Sequence, residues 1–315
     1  MKIKKKQHYV SQFYLKRWSN DEKHVFTIIN QKIIKIKVKE TASENYLYEL
    51  TNMTNNTREV LLRELSRLDS PLSNLIRTTV DAVFLLEERP NNFRHENPNM
   101  KESKRAIRVN IIEEYYTAIE ELAAPSLNLI IEDEYERVDV DDYQNILRYA
   151  VNQLSRTPVV KEKFRAEVSF ALDGNGVDFQ TYNVLQNLIV SERIVLALIE
   201  KMYQVTLLNN SGNLNLITSD NPAINLNPIT QKDLKIFLPI SPRKAIFIEP
   251  TSLNSDDQLK TKNTYLDGGG IEKYYICDRL LSEQDVRGLN EITASNKGRH
   301  IYGKESEDLE CFKKA

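Results

Sequence analysis

Three side chains in this sequence have the types that proton transfer and anion binding require, and each stands in a short polar phrase. His8 lies in Gln7-His8-Tyr9-Val10-Ser11-Gln12-Phe13-Tyr14-Leu15, Arg156 in Gln153-x-x-Arg156-Thr157-Pro158, and Asp220 in Thr218-Ser219-Asp220-Asn221-Pro222. A histidine changes charge near neutrality, so His8 suits general acid or base work. Arg156 carries five donors in a rigid fork that matches phosphate or carboxylate. Asp220 is suited to holding a metal, acting as a base or orienting His8. These three are the catalytic candidates. Gln12, Gln153, Ser219 and Asn221 are the substrate-binding candidates, joined by Asn290 from the C-terminal region.

Each residue also has a structural reading. His8 can be a hydrogen-bonded anchor. Arg156 can meet the dipole of a last helical turn, which Thr157-Pro158 then ends. Asp-Asn before Pro is a common turn former. Ser11 is the expected N-cap of a short helix over Gln12 to Trp18, which would seat His8 beside a helix start and make an anion a suitable neighbour. Lys2, Lys4, Lys5 and Lys6 before the phrase, with Lys16 and Arg17 after it, make a local basic patch.

The elements that must position these residues change along the chain. His24 to Lys39 is rich in β-branched residues and alternates Ile-Lys-Ile-Lys-Val-Lys, which predicts two strands around a turn at Asn30-Gln31-Lys32. Asn56 to Glu88 takes a helical period, with Pro71 opening a second helix capped by Ser70. Residues 89 to 101 read as a loop. Ser103 to Ala123 and Asp141 to Thr157 read as helices, the latter ended by Pro158. Phe179 to Tyr203 is apolar nearly all round between Val184 and Leu198, so it is the expected buried helix.

From Tyr203 onward the period becomes two. Gln204 to Leu208 and Leu214 to Thr218 read as a hairpin. Leu234 to Leu238, Lys244 to Glu249 and Lys273 to Cys277 read as strands, with Ile240-Ser241-Pro242-Arg243 a tight turn. Residues 250 to 270 read as a long polar loop. Ser282 to Lys297 is a last helix, Arg299 to Tyr302 a last strand, and 304–315 a charged mobile tail. The order strands, helices, strands predicts α+β architecture in one domain spanning 1–315. A mixed or antiparallel sheet would combine 1–50 with 203–303, and a helical subdomain over 55–202 would be inserted between them.

The 315 residues carry 41% hydrophobic and 28% charged side chains, a globular balance. A formal net charge of -2 excludes a global field toward nucleic acid or membrane. Two cysteines suit a reducing compartment, and no stretch approaches ~20 apolar residues, so a soluble, cytoplasmic protein without a membrane span is expected. The four histidines lack partners at zinc-ligand spacing. A divalent cation such as magnesium stays open as a cofactor, because its carboxylate ligands need not be near in sequence. There is no G-x-S-x-G, Walker A, H-E-x-x-H or G-x-G-x-x-G string. No Arg stands five positions before a His, which excludes the R-x4-H string of many HEPN ribonucleases. Glu102-Ser103-Lys104 matches the E-x-K of restriction-like nucleases by chance, and Cys277 has no base nearby in sequence.

The three phrases above and a fourth, Leu238-Pro239-Ile240-Ser241-Pro242, occur in an order that resembles the uncharacterised DUF4238 family. That pattern runs roughly H-Y-V-P-Q-x-Y-L, Q-x-x-R-T-P, T-S-D-N-P and P-L-S-P. Leu289-Asn290 with Ala294 follows in a closing helix. The resemblance covers residues 7 to 302. Ser11 stands where the family usually has Pro, and Ile240 where it usually has Leu. The family implies no established reaction. Some members look like anti-phage defence proteins, so the resemblance implies an effector or a sensor, with a phage protein as a trigger.

Two functions follow as expectations. One is a hydrolase, nuclease-like, acting on nucleic acid or a nucleotide, with His8 as acid or base, Asp220 its orienter or a metal ligand, and Arg156 the phosphate clamp. The other is a non-enzymatic sensor or binding protein whose polar residues form a buried network.

Overall fold

The computed structural model describes residues 2–68, 71–88, 98–172, 175–227, 233–251, 258–267 and 270–313. The chain begins with β1 (Lys6–His8), α1 (Gln12–Leu15), β2 (His24–Ile29), β3 (Lys32–Lys37) and β4 (Ser43–Asn45). A helical block follows: α2 (Asn55–Leu65), α3 (Pro71–Glu88), α4 (Pro98–Ile131), α5 (Val140–Ser155), α6 (Pro158–Leu172) and α7 (Phe179–Glu200). The C-terminal part holds β5 (Gln204–Asn209), β6 (Thr218–Ser219), β7 (Ile224–Asn225), β8 (Ile236–Ser241), β9 (Lys244–Glu249), β10 (Gln258–Asp267), β11 (Gly270–Leu280), α8 (Glu283–Ser295) and β12 (Ile301–Gly303). The architecture is α+β, with helices inserted between N- and C-terminal strands, as the element order predicts.

The first strands do return to the last ones. Their four-stranded sheet has the order β3-β2-β12-β6, and β12 runs antiparallel to both neighbours. The hairpin joining β2 to β3 turns at Asn30 and Gln31, both at positive φ (49° and 62°), the twist that two-residue hairpins favour. The other C-terminal strands form a separate six-stranded sheet, β10-β11-β5-β9-β8-β7, in which only β11 and β5 pair in parallel among neighbours. So there are two larger sheets in place of the single one expected. β1 pairs only with β4, setting His8 opposite Ser43.

Helix ends follow local chemistry. Asp139 and Asp142 make a reciprocal capping box at the start of α5, and Ser282 and Asp285 make another at α8. Asp178 caps α7 by accepting from the Thr181 N–H. The middle of α7 is the core helix expected, with Leu185, Leu188, Ile189 and Val195 buried. It has the length and hydropathy to cross a membrane, yet it lies packed against the other helices.

Several expected elements differ. Pro158 does not merely end a helix but occupies the first position of α6, where its missing N–H costs nothing. The helix expected over Ser103 to Ala123 extends over 34 residues, past Pro125 and back to Pro98, into the expected loop over 89–101. Ser70 and the rest of that loop, residues 89–97, lie outside the described residues. Glu102-Ser103-Lys104 is helical throughout. Gln204 to Leu208 and Leu214 to Thr218 do not pair with each other: β5 pairs with β9 and β11, and β6 with β12. Residues 258–267 of the expected polar loop form β10, in a hairpin with β11. The stretch from Lys304 carries a 3-10 turn, Glu307–Phe312, with Leu309 buried.

Candidate functional site

The first phrase is wired into the fold from both of its ends. Gln7 is fully buried: its amide donates to the Val109 carbonyl (2.6 Å), and its oxygen accepts from the Tyr48 N–H (2.7 Å). Tyr14 joins three phrases at once, since its hydroxyl meets Thr218 Oγ1 (2.7 Å) and donates to the Pro239 carbonyl (2.6 Å). Pro239 sits in β8 beyond the two residues that pair with β7, so its lack of an N–H breaks no ladder there. Ser11 stands at the N-cap of α1 as expected, but its side chain makes no cap bond; its hydroxyl meets Tyr149 Oη instead (3.1 Å).

His8 and Tyr9 leave the chain toward different surroundings. On the His8 side, α4 and α5 converge. Arg156, the C-cap residue of α5, is buried; its Nη2 donates to Glu120 (2.6 Å), and its guanidinium lies 5.0 Å from the centre of the Tyr116 ring. Burial opposes its charge, but Glu120 and the tyrosine oxygens of Tyr48 and Tyr149 hold it, so the guanidinium is firmly protonated. Glu113, one helical turn before Tyr116, receives the His8 backbone N–H; burial pushes its carboxyl up to about 7, against the pull of Arg156. The His8 ring moves the other way. Burial, then Lys6 and Arg156, lower it to about 4, with the Thr41 carbonyl opposing. Gln12 Nε2 lies 3.2 Å from His8 Nε2. With the amide as donor, the Nε2 lone pair accepts from Gln12 and the proton sits on Nδ1.

On this side several buried polar atoms have no hydrogen-bond partner among the described residues: His8 Nδ1, Ser43 Oγ, Tyr48 Oη, Glu113 Oε2, Arg156 Nε and both ends of the Gln153 amide. Buried polar groups are nearly always paired, so these atoms call for a partner, ordered water or ligand. Gln153 and Arg156, three residues apart on α5, supply two members of it, as their spacing suggests.

The Tyr9 side is different. Asp220 accepts from the Gly298 N–H (2.8 Å) and the Arg299 N–H (2.7 Å), and its own N–H donates to the His300 carbonyl. A Cβ on Gly298 would meet Val159 Cγ2 at 2.8 Å and Asp220 Oδ2 at 3.1 Å, so any side chain here would have to push Val159 or the Asp220 carboxylate aside. Ser219 Oγ donates to the Asn221 carbonyl and accepts from its N–H. Asn221 accepts from Thr157 Oγ1 (2.9 Å) and donates to the Asn296 carbonyl (2.9 Å). Asn290 accepts from the Ile217 N–H and donates to the Asn215 carbonyl, tying α8 to the segment before β6. Asp220 and Tyr9 line an open cleft of about 510 Å³ with Lys161, Arg165 and Arg299, and His8 is not in its lining. Burial raises the Tyr9 hydroxyl and Asp220 raises it further; burial lowers Lys161.

So the structure brings His8, Gln12, Gln153 and Arg156 to one side. It places Ser219, Asp220, Asn221 and Asn290 on another, and no hydrogen bond or ion pair joins Asp220 to His8 among the described residues. Sequence reasoning missed Glu113, Glu120, Tyr48 and Tyr116. A signal was present: Glu113, Tyr116 and Glu120 recur at helical spacing on one stripe of α4. Among the described residues, no three His, Cys, Asp or Glu side chains gather as metal ligands, so the open magnesium expectation finds no donor set there.

A family profile described as a protein of unknown function (DUF4238) matches residues 6–109 and 91–307. No curated protein and no solved structure matches the chain.

Proposed function

The chain belongs to the DUF4238 family, whose function is unknown, and from its own residues we propose that it is a hydrolase of a phosphate-bearing substrate, a nucleotide or nucleic acid, serving the anti-phage role the resemblance implies. The observation that carries this reading is the buried polar cluster around Arg156. It gathers unpaired buried polar atoms with an acid and a base whose proton affinities are displaced in opposite directions. Such opposed displacement is how one site runs acid and base chemistry together. His8, neutral above about 4, takes the proton of an attacking water at Nε2 once that water displaces the Gln12 amide from it. Glu113, protonated below about 7, gives its proton to the leaving oxygen. Gln12 fixes the imidazole, and Arg156 with Gln153 faces the charge that develops.

The rate should therefore be bell-shaped, rising as His8 loses its proton near 4 and falling as Glu113 loses its own near 7. The test is turnover of nucleoside triphosphates, single-stranded RNA and DNA, with and without magnesium, by the wild type and Glu113→Gln. Loss of turnover in a folded Glu113→Gln supports the reading; unchanged turnover in that variant and in His8→Asn ends it.

A second reading keeps one observation of its own. Asp220, Ser219, Asn221 and Asn290 are engaged with backbone or with Thr157, which is what a bracing network in a sensor or binding protein requires. In that case His8 and Glu113 variants would lower the melting temperature without changing any reaction.

A further inference from the structure

A groove of about 380 Å³ lies between α1 and the open end of the β2–β3 hairpin. Gln12 and Lys16 form one wall; Lys23, Lys37 and Lys39 stand on the other, above buried Val38. Glu22 is the one carboxylate in this lining. Lys37 reaches Glu40 at 3.6 Å, an exposed pair, whereas Lys16, Lys23 and Lys39 pair with no carboxylate among the described residues. The chain as a whole has a net charge of -2, so this concentration of cations is local.

The walls are held in place. Asp21 accepts from the Lys23 N–H (3.0 Å), the His24 N–H (2.8 Å) and the Ser19 hydroxyl (2.9 Å), with His24 Nδ1 at 2.8 Å; the His24 bond first, then the backbone N–H groups, keep its carboxyl well below the usual range. The Val38 N–H donates to the Lys23 carbonyl (2.8 Å), which locks the two lysine-bearing segments together. Like charges gathered in one concavity repel, and a polyanion relieves that repulsion. The volume is that of a small-ligand site, and lysines act on phosphate as point charges. Gln12 lines the groove and also holds the basic nitrogen of His8.

We propose that this groove binds the phosphate chain of a nucleoside oligophosphate. The inference rests on the hydrolase reading for its chemistry and names the substrate: phosphates seated on Lys16, Lys23 and Lys39 share a groove with Gln12, the residue that contacts the His8 ring. The concave shape of the groove favours a small ligand over a polymer tracking the surface.

Calorimetric titration of the full chain tests this with ATP, inorganic tripolyphosphate, adenosine and a short single-stranded RNA. ATP and tripolyphosphate should bind, adenosine should not, and high salt should weaken both. Lys16→Glu combined with Lys39→Glu should lower both affinities about tenfold or more, and the neutral pair Lys16→Gln with Lys39→Gln should lower them less, with melting curves unchanged because both side chains are exposed. Unchanged ATP affinity in a folded double variant, equal binding of adenosine, or RNA binding more tightly than ATP through the same lysines would overturn the proposal. His8→Asn separates it from the hydrolase reading. That variant should stop turnover and leave ATP affinity in place. If it keeps turnover while the lysine variants lose binding, the groove stands and the assignment of His8 as the base falls; if the wild type binds ATP without turning over any phosphate substrate, the groove stands and the hydrolase reading falls.

Discussion

The His8 side and the Asp220 side of the structure are built from equally polar phrases, yet they treat polarity in opposite ways. Around Asp220 the side chains find partners close at hand: two backbone N–H groups for Asp220, a turn for Ser219, Thr157 and Asn296 for Asn221. Around Arg156, buried atoms of six residues have none among the described residues. A satisfied network rigidifies and specifies a fold; an unsatisfied one in a folded protein calls for a ligand, a water or a reaction. Substitutions on the two sides should therefore fail differently, the Asp220 side in stability and the His8 side in chemistry, with one exception.

That exception gives the largest effect. Arg156 has its charge buried, and Glu120 is its ion-pair partner at 2.6 Å. Glu120→Gln should destabilise by about 3–5 kcal/mol, because removing one partner leaves an uncompensated buried charge. Urea unfolding measures it. The double variant Glu120→Leu with Arg156→Met should recover most of the loss, since an apolar replacement removes the charge that was stranded. A small loss in Glu120→Gln would mean that Arg156 has another counter-ion and that the cluster is more open than its burial implies.

On the other side, Asp220→Ala should cost about 3 kcal/mol by leaving the Gly298 and Arg299 N–H groups without their charged acceptor. Its melting temperature should fall, and the turnover of whatever remains folded should hold. A stable Asp220→Ala with no turnover would break the comparison and restore Asp220 to the chemistry. Asn290→Ala should follow at about 2 kcal/mol, from the orphaned Ile217 N–H and Asn215 carbonyl, again with the reaction intact.

How the sequence reads depends on the same difference. The phrases were legible as polar, and the helical stripe over Asp141 to Thr157 placed Gln153 and Arg156 on one face. Nothing in a phrase says whether its side chains will be satisfied by a turn three residues away or by a helix 100 residues away. Asp220 takes its partners from residues 298 and 299, an unremarkable stretch at the edge of the last expected strand. Glu113 and Glu120 were hidden among the other charges of a long helix, in which Glu114 and Glu121 belong to the exposed face. Strand pairing had the same limit. The period of two located β5, but its partners β9 and β11 come from later in the chain, and periodicity carries no information about partners.

The smallest effect concerns pH, and it arises because His8 and Glu113 oppose each other. Glu113 has a folded value near 7, raised above its unfolded one near 4.5, so its contribution is full below 4.5 and is lost as pH rises through 7. His8 is depressed from 6.5 to about 4, so its contribution is present above 6.5 and is lost as pH falls through 4. Between these limits one term falls as the other grows, and the wild type should show a nearly flat stability. Each single variant should uncover the other residue. Glu113→Gln should make stability rise with pH from about 4 to 6.5, and His8→Asn should make it fall from about 4.5 to 7, each by on the order of 1–2 kcal/mol. Unfolding titrations at a series of pH values measure both slopes. Flat profiles in both variants would mean that neither group is held in the buried environment the cluster gives it, and the contrast with the Asp220 side would lose its chemical meaning.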